Sequence, residues 1–331
     1  MNASTEQTSY TSSDQDLHSG RGRGAEVPTD IPAAGWKDIA MRVCKEISND
    51  RVLLVAAGVT FYLLLALGPL LAAFVSIYGL AFDTADISDH VQSLAGVIPG
   101  GAIDILNQQL ERLTSAEDSA LGIAFITSLL IALWSANAGM KALFEAMNVA
   151  YNEKEARGFF KLNAVTLSFT VATILSVMSL LILSTLFTSF QNQIGIALPN
   201  WLTTTVTALL ALLGLIVFMA CLYRFGPSRE SPEWRWTSPG AIFAGLMIVI
   251  ASALFSYYVL NFGTYNETYG SLGAVVGFLT WLWLVVIVLM ISGELNAEME
   301  HQTAHDTTSG PDEPMGQRGA TMADELVNTQ A

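Results

Sequence analysis

The chain has 331 residues, 52% of them hydrophobic and 13% charged, with a mean hydropathy of +0.47. That is too apolar for an ordinary soluble domain and places the chain in a lipid bilayer. The formal net charge of −14 supplies no basic surplus to neutralise phosphates, which argues against nucleic acid as a partner.

In chain order, residues 1–30 are rich in Ser, Thr, Gln and Gly and read as a disordered tail without an apolar signal core. The membrane domain then occupies 31–300. Trp36, Ile39, Val43 and Ile47 recur at helical spacing, and Lys37, Arg42 and Lys45 occupy the other faces. The spacing predicts an interfacial amphipathic helix whose cations suit anionic lipid headgroups. Six continuous apolar runs follow, at 52–80, 120–140, 163–187, 202–222, 240–260 and 272–293, each long enough to cross ~30 Å of hydrocarbon as a helix. Barrel strands would alternate every second residue, and these runs do not. The expected fold class is therefore all-α, a polytopic bundle of six transmembrane helices. Residues 301–331 are again polar and read as a second disordered tail.

Lysine and arginine fall on alternate connections. Arg21, Arg23, Lys37, Arg42, Lys45 and Arg51 precede the first span; Lys141, Lys154, Arg157 and Lys161 surround the second connection; Arg224, Arg229 and Arg235 lie in the fourth. The first connection is acidic but for Arg112, and the third and fifth hold no Lys or Arg. The asymmetry predicts both termini in the cytoplasm. Within the first connection, Val91, Leu94 and Ile98, then Ile103, Leu106, Leu110 and Leu113, suggest two amphipathic helices on the outer surface. Cys44 and Cys221 are isolated, and neither a disulfide nor a zinc site is indicated.

The second span does not stop where its apolar run stops. Ala138, Ala142, Ala146 and Ala150 form a small-residue stripe; Asn137, Lys141, Glu145, Asn148 and Asn152 form a polar one; Met140, Phe144, Met147 and Tyr151 form an apolar one. The helix is expected to run on to Asn152 or Gly158. Its polar stripe reads either as a solvated packing extension or as the lining of a vestibule. In the first span Gly58 and then Gly68-Pro69 interrupt the run, with Thr60 and Tyr62 two turns before the kink. Thr166, Thr170, Thr173, Ser176 and Ser179 along the third span read as interhelical glue or as a solute path. The sixth span opens with Tyr269-Gly270-Ser271, and Gly273 and Gly277 predict a close-packing helix face.

Glu294 directly follows that span and needs either a partner or a route to water. Lys141 is the expected partner, with Arg51 and Arg224 behind it. Glu294, Glu298, His301 and His305 share a helical face, but a solvated helix end describes them better than a metal site. No metal or other cofactor is expected.

The stretches "AAGVTFYLLLALGPLL", "LWSANAGMKALFEAMNVAYNEKEARGFFK", "LYRFGP" and "NFGTYNETYGSLGAVVGFLTWLWLVVIVLMISGELNAEME" follow one another in an order that resembles the YihY/BrkB family. The resemblance covers residues 35–300 and implies a six-span protein of the bacterial cytoplasmic membrane, with Glu294 and Asn296 inside a matching Gly-Glu-Leu-Asn segment. The family carries virulence-factor and serum-resistance labels and an older ribonuclease BN label. Hydrolysing RNA needs a metal cluster or a positioned acid and base, and the four histidines, His18, His90, His301 and His305, form no such group. Three readings follow: transport of an amphiphile or small solute, an envelope scaffold, or lipid-modifying chemistry. Transport is the leading expectation and an enzymatic role is not expected. No phosphate-binding G-x-x-x-x-G-K-[ST] loop occurs, so transport would run on a gradient or passively.

Overall fold

A computed structural model describes residues 20–79, 123–194, 199–262 and 272–326. Among them, a 3-10 turn at Pro28–Asp30 precedes eight α-helices: α1 (Ala33–Asn49), α2 (Val52–Gly79), α3 (Ile123–Ala150), α4 (Phe159–Ile194), α5 (Asn200–Phe225), α6 (Trp234–Phe262), α7 (Gly273–Gln302) and α8 (Thr321–Asp324). No strand occurs among the described residues beyond an isolated bridge between Pro232 and Thr308. Helices α2 to α7 are six segments long and apolar enough to cross a membrane. The outer-surface amphipathic helices expected at 91–113 lie outside the described residues.

The six runs become helices because their backbone polar groups are satisfied within each segment. Their ends were set by local chemistry rather than by hydropathy. α3 continues past its apolar run to Ala150 and stops where Asn152 takes φ +53°. There the Asn152 N–H donates to Val149 O at 3.0 Å and the Glu153 N–H to Asn148 O at 2.8 Å, the paired bonds of a left-handed helix stop at a residue that tolerates positive φ. α1 ends in a similar way on Arg51, with φ +51° and its N–H donating to Ser48 O. This stop makes Asp50 the C-cap and turns the chain directly into α2. Pro69 lies inside α2.

α7 is the central element, packing against α1, α2, α3, α6 and α8, while α2 and α3 form the most extensive helix pair. A Cβ on Gly139 of α3 would meet the Ala66 Cβ of α2 at 2.9 Å, so the glycine permits that close crossing. The expected packing face at Gly273 and Gly277 is corrected in part: Gly273 is buried, but a Cβ on Gly277 would meet nothing within 4 Å. Close approach falls instead on Gly139, Gly240 and Gly245. Most of the core gathers toward one end of the bundle, around Phe144, Met147, Tyr151, Leu222, Tyr223, Leu289 and Met290. Outward positions along the spans are apolar, including Leu54, Leu65, Leu130, Ile131, Leu209 and Leu254, as contact with lipid requires.

Both ends of the described chain meet at that same end. Residues 20–30 and 303–326, parts of the two tails expected to be disordered, instead pack with Ile31 and the 226–233 connection as a polar cap. Thr303 Oγ1 donates to Ala25 O at 2.6 Å, and the Ala304 N–H donates to Arg23 O at 2.9 Å. The Glu230 N–H donates to Gly319 O at 3.0 Å. Arg318, nearly buried, donates to the carbonyls of Ala304, His305, Glu313 and Ala323. The cap is held by hydrogen bonds rather than by an apolar core of its own, although Met322 reaches the bundle core. α1 forms as expected, but its apolar face is buried in protein, with Ile39 and Val43 packed against Trp236, Met299, Ala25 and Ile31.

Candidate functional site

The last turns of α7, "SGELNAEMEHQ", are polar yet buried: Ser292, Glu294, Asn296, Glu298, Glu300 and Gln302 are all shielded. A helix advances 100° per residue, so Glu294, Glu298 and Gln302 lie along one side and Asn296 and Glu300 along another. The two sides meet different partners.

Toward α1, the Arg42 guanidinium donates through Nε to the Glu298 carboxylate and through Nη2 to Glu298 O at 3.1 Å and Gln302 Oε1 at 2.7 Å. His301 Nδ1 lies 3.7 Å from the same carboxylate. Toward α6, the Gly240 N–H donates to Asn296 Oδ1 at 2.9 Å and Asn296 Nδ2 donates to Thr237 O at 3.2 Å. A Cβ on Gly240 would come within 2.5 Å of the Asn296 amide carbon, so this approach requires glycine. Toward the 226–233 connection, Arg229 forms a bidentate pair with Glu300 at 3.0 and 2.7 Å, both side chains fully buried, and Thr307 Oγ1 donates to the same carboxylate at 2.8 Å. The Arg229 guanidinium lies 4.6 Å from the Tyr151 ring centroid. Burial opposes a charge on Arg229, but the Glu300 carboxylate outweighs it and raises its pKa.

Glu294 differs from its neighbours. It is 0% exposed, and neither carboxylate oxygen has an N–H or hydroxyl donor. The group facing it is the carboxyl of Asp50, itself with a buried, unpartnered Oδ2, at the cap of α1. Neither expected fate of Glu294 is realised. It does not reach water, and Lys141 is not its partner: the Lys141 ammonium lies 5.2 Å from the Trp134 ring centroid. Arg51 is exposed. Arg224 is held by Pro232 O and Ser309 Oγ and stacks on Phe225 and Trp234.

The polar stripe of α3 splits. Steps of four residues drift 40° each, so Asn137 and Asn148 are buried, Lys141 is half-buried, and Glu145 and Asn152 are exposed. Asn148 ties down the elbow after α3, accepting from the Ser228 N–H at 2.7 Å and donating to Glu155 Oε2 at 3.2 Å. Burial works against charge on Glu155, but bonds from Arg157 dominate and hold its pKa down at about 2. Asn137 is different: it is fully buried in the middle of α3, its Oδ1 lies 3.5 Å from the Thr170 hydroxyl, which donates at 3.0 Å to Thr166 O, and its Nδ2 has no acceptor. Three other hydroxyls of α4 bond within their own helix rather than across to a neighbour. Thr166, Thr173 and Ser179 donate to carbonyls four residues back in their own helix, at 2.7–2.9 Å. Tyr62 does not line the interior; half its surface is exposed, and it packs edge-on against Phe61. Gly68 and Pro69 are half-buried, and a Cβ on Gly68 would meet nothing within 4 Å.

Sequence reading did not find Asp50, Arg42 with Glu298, or Arg229 with Glu300. Each is a long-range pair, and the only local signal was the density of carboxyls on α7. Among the described residues no group of three or more His, Cys, Asp or Glu side chains could hold a metal ion, and the shared face of Glu294, Glu298, His301 and His305 forms no such group.

Six membrane-length helices with an outward apolar surface and a polar, buried end define a multi-pass integral membrane protein. The family model described as Virulence factor BrkB matches residues 43–316, and the chain belongs to that family. It is 29% identical over 250 residues to YfkH of Bacillus subtilis, a protein named as ribonuclease-like, covering 73% of this chain and 88% of that one. A UPF0761 membrane protein of Nitrosospira multiformis is 25% identical over 74% of this chain, which spans 57% of that relative's length. A UPF0761 membrane protein of Idiomarina loihiensis is 24% identical over 62% of this chain and 70% of its own. No solved structure matches the chain.

Proposed function

We propose that this protein moves an amphiphile or small solute across the bacterial cytoplasmic membrane, with both termini and the polar cap on the cytoplasmic side and no catalytic step of its own. The observation that carries this reading is Asn137, a fully buried amide in mid-helix whose Nδ2 lacks an acceptor. An unpaired buried amide costs about 1–3 kcal/mol, and a purely structural bundle has no use for it. A solute's acceptor group passing between α3 and α4 gives it one.

The hinge lies on α2, which packs on the side of α3 opposite Asn137. Gly139 of α3 sits tightly on Leu63 and Ala66 of α2, and Gly68-Pro69 follows about half a turn later. Pro69 removes one helical hydrogen bond, so the part of α2 beyond it can swing while the part before it stays locked to α3. That swing frees the outer part of α3 from α2, so that α3 can shift against α4, where Asn137 lies. Anionic lipid headgroups are the expected neighbours of Lys37 and Lys45 at the cytoplasmic surface.

The Gly68→Ala, Pro69→Ala double variant straightens α2 without a clash, because the new Cβ at position 68 meets open space. It should reach the membrane at wild-type abundance and fail to complement a deletion strain. Full complementation at equal abundance would favour a scaffold, since a straightened helix still presents its surface.

A further inference from the structure

Two of the buried α7 carboxylates that approach other elements have guanidinium partners: Glu298 has Arg42 and Glu300 has Arg229. Glu294 has none, although it is as deeply buried. What faces it is another carboxyl, Asp50, with Glu46 from α1 and Glu298 from its own helix nearby. Among the described residues, the remaining neighbours bring no free cation to it. Arg42 is committed to Glu298 and Gln302 on α1's side. Tyr151, at the end of α3, brings a buried hydroxyl with Arg229 and Glu300 behind it. Arg51, at the start of α2, is exposed. Arg235, at the start of α6, is exposed and held by Glu233. Asp324 of α8 accepts the Gly316 and Arg318 N–H groups. Two carboxylates placed together and withdrawn from water cannot both be charged without a large penalty. A proton between them supplies the O–H donor that both Glu294 oxygens otherwise lack.

We propose that Glu294 and Asp50 form a proton-binding site that couples solute movement to a proton. Asp50 is half-buried at the turn between α1 and α2, and Glu294 is fully enclosed. Loading therefore begins at Asp50, which takes a proton from water and passes it to Glu294 as its own carboxylate reforms. Release reverses the two transfers, and no other group is oxidised, reduced or consumed. Val52 at the start of α2 is buried in the same core as Ala150 and Ala297, so the charge state of the Asp50 turn bears on the helix that carries the Gly68-Pro69 hinge. This inference rests on the transport reading above.

The test uses the full-length protein with Cys44 and Cys221 replaced by Ser and a single Asn137→Cys, reconstituted in liposomes. A membrane-impermeant maleimide is applied to each side in turn, at mildly acidic and mildly alkaline pH. The ratio of the two rates cancels the thiol's own ionisation. In the Glu294 background the ratio should shift with pH, by up to about tenfold per pH unit, the limit for one coupled proton. In Glu294→Gln and in Asp50→Asn it should be flat. Infrared spectra of the unmodified protein supply a readout independent of those variants, a protonated-carboxyl band that titrates in parallel. A flat ratio with reaction from both sides overturns the proton site and leaves transport standing. An equal pH shift in Glu294→Gln also overturns it, by assigning the shift to another group. Reaction from neither side at any pH overturns the transport reading, and this inference with it.

Discussion

Replacing Glu300 by Gln is the sharpest test of how the polar end of α7 is held. Glu300 and Arg229 are both fully buried, and their two N–H···O bonds of 3.0 and 2.7 Å are joined by the Thr307 hydroxyl at 2.8 Å. An amide of the same size keeps one acceptor and removes the counter-charge. The guanidinium is then left buried against the Tyr151 ring without its hydrogen-bonded carboxylate, a change that costs about 3–5 kcal/mol when one partner of a buried pair is removed. Replacing both partners together, as Arg229→Met with Glu300→Leu, leaves no uncompensated charge and should recover most of that loss. Thermal unfolding in detergent, followed by tryptophan fluorescence, measures both. Limited proteolysis at Arg318 should accelerate in the single variant, because the Glu233 N–H bond to Thr307 O (2.9 Å) hangs on the same residues. Unchanged stability in Glu300→Gln, or additive losses in the double variant, would refute the pairing as the anchor of the cap.

Three further outcomes are expected. Gly240→Ala should destabilise by about 1–3 kcal/mol through overpacking, because its Cβ would sit 2.5 Å from the Asn296 amide carbon; adding Asn296→Ala should relieve much of this in an unfolding titration. Glu155 has its pKa lowered from 4.5 to about 2, so its stabilising contribution is complete above pH 4.5 and disappears as pH falls toward about 2. Glu155→Gln should therefore flatten the acid limb of stability in that window while leaving its shape at neutral pH unchanged, although the group is too exposed for a large effect. A single cysteine at Lys154 should be labelled only from the cytoplasm, and one at Ser88 or Asn266 only from outside; the reverse pattern would overturn the orientation.

The six spans were legible because each is an unbroken apolar run, and the extension of α3 was legible because its periodicity outlasts its hydrophobicity. The sequence leaves its end open between Asn152 and Gly158; the stop falls at the first, where asparagine tolerates positive φ. The equivalent stop at Arg51 was not legible, because nothing about an arginine announces a left-handed turn, and that turn is what presents Asp50 to Glu294. The cap was misread for a related reason. A polar segment such as 303–326 gives no periodic signal, and its order comes from Arg318, Asp306 and Asp324 meeting backbone groups. Glu294, Asn137 and Asn148 stand out in the sequence as polar residues at the end of an apolar run, and Asn296 through the resemblance alone, but nothing local shows that they are buried or which elements hold their partners. Tyr62 is half exposed because residue spacing along an apolar span does not fix which face turns outward.

The most direct measurement of the central claim is the two-sided reactivity of Asn137→Cys at neutral pH, in liposomes, against Ala56→Cys as a control that is equally buried in the core. Transport requires that the Asn137 face open to each side in turn, so the cysteine should react from both sides, slowly but well above the Ala56→Cys rate, and the Gly68→Ala, Pro69→Ala variant should suppress reaction from at least one side. Reaction from neither side above the Ala56→Cys rate would contradict the account and leave a closed bundle.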